Sequence, residues 1–286
     1  MIPLIRLIRP HQWAKNTLAF VGLLAAHRWS DASAWQASAQ MFVALSMTAS
    51  AIYVLNDALD VASDRLDPDK RERPFASGSL SLHSGLALIP GLLAVALLAA
   101  WSLPRNAQLA LAVYAGGALL YNLGIKRLLW LDVVLLAALY AMRVIAGALA
   151  ATIAPSPWLV GFSLFVFLSL AALKRYAELV RSQLERLPGR AYLREDRAIV
   201  AQFGIAAALA ATVVLALYVN GDDVSLLYDR PLLLWALGPI VLSWLMRLWS
   251  LAHRGQLPGD PVLYALRDGT SWAAALALIA CVWLAS

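Results

Sequence analysis

Long apolar runs alternate along this chain with short polar connections. Apolar stretches occupy 32–56, 85–103, 106–125, 130–150, 158–173, 198–220, 231–249 and 269–285. Most are close to the roughly 20 residues that a helix needs to cross a bilayer. A ninth run, 16–27, is short for a span, and the flanking Lys15 and Arg28 are expected to snorkel toward water. Residues 1–15 carry Arg6, Arg9 and Lys15 among Ile, Leu and Trp13, which predicts an interfacial helix leading into the first span. No small-residue cleavage site follows an early apolar core, so this is not read as a signal peptide. Pro104 with Arg105 and Asn106 predicts a tight turn, and 154–157 an uncharged loop. The pattern therefore predicts an all-α integral membrane protein of nine transmembrane helices, with 1–286 forming one transmembrane domain.

Composition agrees. The 286 residues are 62% hydrophobic and 14% charged, whereas a soluble domain is about half apolar and about a quarter charged. Eleven tryptophans fit interfacial enrichment. The lone Cys281 excludes a disulfide framework. A net charge of +6 does not point to nucleic acid, because the cations are sorted by loop. With the N-terminus in the cytoplasm, nineteen of the 23 Lys and Arg fall on the cytosolic side. Only Arg28, Arg105 and Arg230 fall opposite, and Arg143 lies at mid-span. This asymmetry obeys the positive-inside rule. It places the protein in the cytoplasmic membrane with its polar clusters facing the cytosol.

The chemistry concentrates at the end of the second run, in YVLNDALDVASDRLDPDKRERPFASG at 53–78. Asn56, Asp60 and Asp64 are four apart and share a helix face, with Asp57 beside them. Carboxylates stacked in this way repel one another and require a divalent cation or basic neighbours. Hard oxygen ligands suit Mg²⁺, which uses one or two carboxylates together with substrate phosphates. Arg65, Lys70, Arg71 and Arg73 follow at once and suit phosphate oxygens. The stretch reads as a Mg²⁺–diphosphate site, with a solvated loop as the plainer alternative. Pro68 is expected to end its helix.

Other polar positions add to this. Lys126 and Arg127 interrupt the pattern before Asp132, and either anchor an interface or bind phosphate. Arg143, at membrane depth, is a functional candidate by default; the structural alternative is a buried pair with Asp60 or Asp132. Tyr140 on the same helix is expected to pack. The sixth run ends in a second cluster, Lys174, Arg175 and Glu178. Asp268 is expected to cap the last helix.

These residues resemble a known pattern. N-D-x-x-D-x-x-x-D at 56–64 on a nine-span chain is similar to the UbiA-type intramembrane prenyltransferases, across essentially the whole chain. Members commonly carry a second acidic motif, D-x-x-x-D, after the sixth span; this chain departs there. RPHQWAKN at 9–16, the stretches 56–78, 121–147 and 167–179, and DPVLYALRD at 260–268 resemble the decaprenyl-phosphate phosphoribosyltransferase branch in particular. The resemblance implies a transferase that moves the 5-phosphoribosyl group of phosphoribosyl diphosphate (PRPP) to a polyprenyl monophosphate and releases diphosphate. It implies a cytosolic-side site, and a lateral opening that leaves the isoprenoid chain in the lipid bilayer. On that basis Asp57, Asp60 and Asp64 hold Mg²⁺ and Asn56 orients a ligand or water. Lys70, Arg71 and Arg73 bind PRPP. Lys174 and Arg175 meet a phosphate, and Glu178 meets a ribose hydroxyl or holds Lys174. The sequence leaves room for a homo-oligomer. The rival readings are a UbiA-type enzyme joining polyprenyl diphosphate to an aromatic acceptor, and a transporter. The transporter is disfavoured because nearly all charges sit at one face.

Overall fold

In the computed structural model the described residues are 2–66, 70–182, 184–221, 224 and 227–286. Among them every regular element is a helix, and the only extended pairing is an isolated bridge between Arg186 and Leu193. Six helices are long and apolar enough to cross a membrane: Ala32–Leu59, Leu82–Ala100, Leu131–Ala150, Pro157–Arg181, Arg194–Val219 and Pro231–His253. Gly269–Ala285 is apolar but shorter, and Arg105–Leu123 is a helix of 19 residues. Exposed side chains such as Leu97, Leu98 and Leu109 suit contact with lipid.

The starts of these helices are written locally. Asp31 caps Ala32–Leu59 by accepting from the backbone N–H groups of Ser33 and Ala34. Pro157 opens Pro157–Arg181 at a position where its missing N–H costs nothing. Asp268 caps Gly269–Ala285 through Ser271, as the sequence predicts. Two expectations change. The sixth helix does not stop near residue 173 but runs to Arg181, so the polar cluster lies inside it. The first run is a 3-10 helix over Pro10–Phe20 followed by a short α-helix, Val21–Ala25. Lys15 in that run is buried rather than snorkelling, whereas Arg28 is exposed and paired with Asp31.

The chain divides into two compact units, Met1–Leu123 with Met142–Pro155, and Gly124–Ala141 with Ser156–Ser286. Within lipid, helices associate through close packing and polar contacts, so small residues matter at their seams. In the first unit a Cβ at Gly147 would stand 1.9 Å from the carbonyl oxygen of Ala19. Only glycine lets these two backbones meet. Leu7, Val54 and Phe75 form a core beneath the loop that follows Ala32–Leu59. In the second unit Pro157–Arg181 packs along Arg197–Val219. A Cβ at Gly204 would lie 2.2 Å from the ring of Trp249, whose indole N–H donates to Ser169 Oγ at 3.0 Å.

Candidate functional site

In the first unit the acidic ladder holds its register through a break. Helix Ala32–Leu59 ends at Asp60, whose N–H donates to Asn56 O at 2.9 Å. Helix Val61–Leu66 resumes at once, and the N–H of Asp64 donates to Asp60 O at 2.8 Å. The four-residue spacing thus survives. Asp57 and Asp64 are buried, at 2% and 3% exposure.

Two arginines neutralise them. Arg73 Nη1 donates to Asp64 Oδ2 at 2.8 Å and to Asp57 Oδ1 at 3.2 Å, bridging the two acids. Arg9 Nη2 donates to both oxygens of Asp57, at 2.7 and 3.0 Å. Arg9 has a left-handed backbone, φ 51°, and its guanidinium lies 5.2 Å from the centre of the Tyr53 ring. The side chains of Arg9 and Arg73 are 18% and 24% exposed, so the acids are buried beneath cations that reach the surface. Burial pushes the Asp64 carboxyl above the ordinary Asp range and neighbouring Asp57 adds to this, while Arg73 and Lys70 oppose it.

The other expected residues of this stretch are placed nearby. Asn56, Asp60 and Lys70 are half-buried, and each engages neighbouring groups. Arg65 is turned to the backbone, donating from Nε to Ala76 O at 3.2 Å. Arg71 is exposed. Pro68 lies outside the described residues. Arg143 is buried in the same unit. Its Nε donates to Asn16 Oδ1 at 2.9 Å and its Nη2 to the Tyr114 hydroxyl at 2.8 Å. Asp132 is not its partner. Eleven residues along the one helix separate them by about 16 Å, and Asp132 is engaged elsewhere.

The second unit has its own charged cluster. Arg175 Nη2 donates to Asp132 Oδ2 at 2.6 Å, and its Nη1 pairs with Glu178. The Tyr192 hydroxyl donates to Asp132 Oδ1 at 2.7 Å, and its ring centre lies 5.3 Å from the Arg175 guanidinium. Asp132 and Arg175 are 0% and 1% exposed. Glu178 therefore pairs with Arg175 rather than Lys174, which pairs with Asp260 at 3.3 Å. Lys126 and Arg127 lie in a 3-10 turn pinned by Arg190, which donates to Lys126 O at 2.8 Å. Tyr140 stacks on Phe167, as packing predicts.

Sequence reasoning missed Arg9 and Tyr192 as partners. Arg9 precedes a proline some 48 residues before Asp57, and nothing in the local pattern links the two. Tyr192 sits in a loop 60 residues beyond Asp132.

Among the described residues no group of three or more His, Cys, Asp and Glu is close enough to hold a metal alone. The first cluster nevertheless fits Mg²⁺. Its donors are all hard oxygens, and one positive group already bridges two buried carboxylates, which is the electrostatic task of the ion. Substrate phosphates ordinarily complete such a coordination shell.

The profile of the UbiA prenyltransferase family matches residues 17–258. The Nodulation protein NoeC of Azorhizobium caulinodans is 36% identical over 276 residues, covering 94% of this chain and 89% of that protein. The Uncharacterized protein y4nM of Sinorhizobium fredii is 36% identical over 93% of this chain, which spans only about half, 52%, of that relative's length. The Decaprenyl-phosphate phosphoribosyltransferase of Mycolicibacterium smegmatis is 40% identical over 183 residues, covering 62% of this chain and 57% of that protein. Among solved structures, a UbiA homolog from Archaeoglobus fulgidus bound to GPP and Mg²⁺ superposes with a TM-score of 0.73 at 14% identity, covering 98% of each chain. That likeness establishes the fold.

Proposed function

This chain is a member of the UbiA prenyltransferase family, and on that premise we propose that it transfers the 5-phosphoribosyl group of PRPP to a polyprenyl monophosphate. The observation that carries this reading is the pair Asp57 and Asp64, buried and bridged by Arg73 at the end of a span. The identity to a decaprenyl-phosphate phosphoribosyltransferase over 62% of the chain supports the choice of substrates.

In the reaction the bond from the anomeric carbon to the diphosphate oxygen breaks, and its electron pair leaves with diphosphate. A phosphate oxygen of the acceptor forms the new bond to that carbon. The acceptor is already anionic at neutral pH, so no strong general base is needed. Asp57, Asp60 and Asp64 hold Mg²⁺, directly or through water. When bound, Mg²⁺ offsets the negative charge that builds on the leaving group. Asn56 orients a ligand or water beside them. Arg73, Lys70 and Arg71 bind phosphate oxygens, with Arg73 exchanging its carboxylate partners for phosphate as substrate enters. Arg9 keeps Asp57 oriented, and Arg65 steadies the loop. Lys126, Arg127, Arg143 and Lys174 are further candidates for phosphate recognition, with interface anchoring the alternative role of Lys126 and Arg127. Arg175 and Glu178, locked with Asp132, hold the helix that carries Lys174. The protein lies in the cytoplasmic membrane with nine spans, its N-terminus and site facing the cytosol, and its lipid substrate in the bilayer.

The second reading is a UbiA-type transfer of a prenyl group from polyprenyl diphosphate to an aromatic acceptor. It is favoured by the fold match to a homolog bound to GPP and Mg²⁺. One experiment separates the two readings. The purified protein with Mg²⁺ is given labelled PRPP and a panel of polyprenyl phosphates, or polyprenyl diphosphate and 4-hydroxybenzoate, and the lipid products are read by mass spectrometry. A phosphoribosylated lipid from the first pair alone is expected. A prenylated aromatic from the second pair alone overturns the proposal.

A further inference from the structure

The second unit carries a groove of about 500 Å³ on the outer faces of Pro157–Arg181, Arg197–Val219 and Leu237–His253. Its walls are apolar, with Ile205, Leu209, Leu242 and Met246 among them. Its floor is the Trp249 ring, seated against Gly204 and 5.5 Å from the Tyr176 ring. One end is polar. The Tyr176 hydroxyl and His253 Nδ1 share a hydrogen bond of 2.9 Å, and exposed His253 and Arg254 form the rim. That rim lies at the ends of the three spans, where a bilayer meets water.

We propose that this groove holds one glycerophospholipid with an anionic head, its phosphate at Arg254 and His253 and one acyl chain against Ile205, Leu209 and Met246. Length selects the tail. From Leu242 to His253 the helix climbs about 16 Å, close to half the roughly 30 Å hydrocarbon core. The groove therefore spans one leaflet, from head-group level to mid-bilayer. Charge selects the head. Arg254 offers a cation at the surface, where each basic residue favours an anionic lipid by about a factor of five. A preformed slot lined by a rigid tryptophan costs less ordering than an open helix face. The proposal is independent of the reaction assigned above, because it uses none of those residues.

The test is native mass spectrometry of the full chain released from nanodiscs of equimolar phosphatidylglycerol and phosphatidylcholine. One retained phosphatidylglycerol per chain is expected. Arg254→Glu, a change of two charge units, is expected to lower retention about 25-fold. Ile205→Trp, which fills the groove at an exposed position, is expected to abolish it with the head-group site intact. Equal retention of the two lipids, or retention unchanged in both variants, overturns the proposal. So does displacement of the bound lipid by inorganic phosphate alone, which would make the rim a free-anion site.

Discussion

The two units each bury a carboxylate against arginine, yet they do so in opposite ways. In the first unit Asp57 and Asp64 are buried while Arg9 and Arg73 remain 18% and 24% exposed. In the second, Asp132 and Arg175 are both sealed, and Tyr192 and Glu178 close the network around them. A cation that reaches water can leave its carboxylate for an incoming phosphate, provided another cation takes its place between the buried acids. A cation sealed at 1% exposure cannot, because moving it strands a buried charge. The first arrangement suits ligand exchange and the second suits scaffolding. The basic second cluster, which departs from the usual acidic motif of the family, thus contains one residue built to stay put.

This difference can be broken experimentally. The largest effect is expected at the sealed cluster. Asp132→Ala removes the sealed partner of Arg175 and leaves it Glu178, a carboxylate 26% exposed, and should cost roughly 3 kcal/mol, read as a fall in the thermal midpoint in detergent. A small loss there would mean that Arg175 is free to rehydrate, and the contrast would fail. At the open cluster, Asp64→Asn should lower turnover about 100- to 1000-fold while the midpoint moves little, since Arg73 already reaches solvent. A large stability loss would class this cluster with the other.

A purely steric change comes next. Gly147→Ala drives a methyl into the Ala19 carbonyl and should cost about 1–3 kcal/mol. It should disturb the first run, which carries Lys15 and Asn16, and leave the second unit's network intact. Hydrogen exchange resolved by peptide would show which unit loosens. The smallest effect is expected at the partly exposed pair Arg247–Asp268. Arg247 and Ser271 hold the Asp268 carboxyl down at about 2. Its stabilisation is full above the ordinary Asp range and is lost as pH falls through the folded value. Asp268→Asn should therefore cost about 1 kcal/mol at neutral pH, and the gap from wild type should close between about pH 4 and pH 2.

Much of this was legible in the sequence. Hydrophobic runs are long-wavelength signals, so the long helices followed from them, and Asp268 was readable as the cap of the last one. The ladder at 56–64 was readable because its spacing is local and survives the break at Asp60. Pairings across distance were not readable. The sequence marks Arg143 as a functional candidate, with a buried acid pair as the alternative, and gives no sign of Asn16 and Tyr114, 127 and 29 residues away, which its Nε and Nη2 meet. Likewise the four-residue spacing of Lys174 and Glu178 suggested a pair. Arg175, three residues before Glu178, takes it instead, while Lys174 reaches Asp260. Helical spacing offers several partners of equal reach, and tertiary packing chooses among them.

The central claim is that the open cluster of the first unit binds a metal together with diphosphate oxygens. Calorimetric titration of PRPP into the purified protein, with and without Mg²⁺, in wild type and in Asp64→Asn, tests it most directly. The account predicts saturable binding that requires Mg²⁺ and weakens at least about tenfold in the variant. Binding that is indifferent to both Mg²⁺ and Asp64 would contradict it.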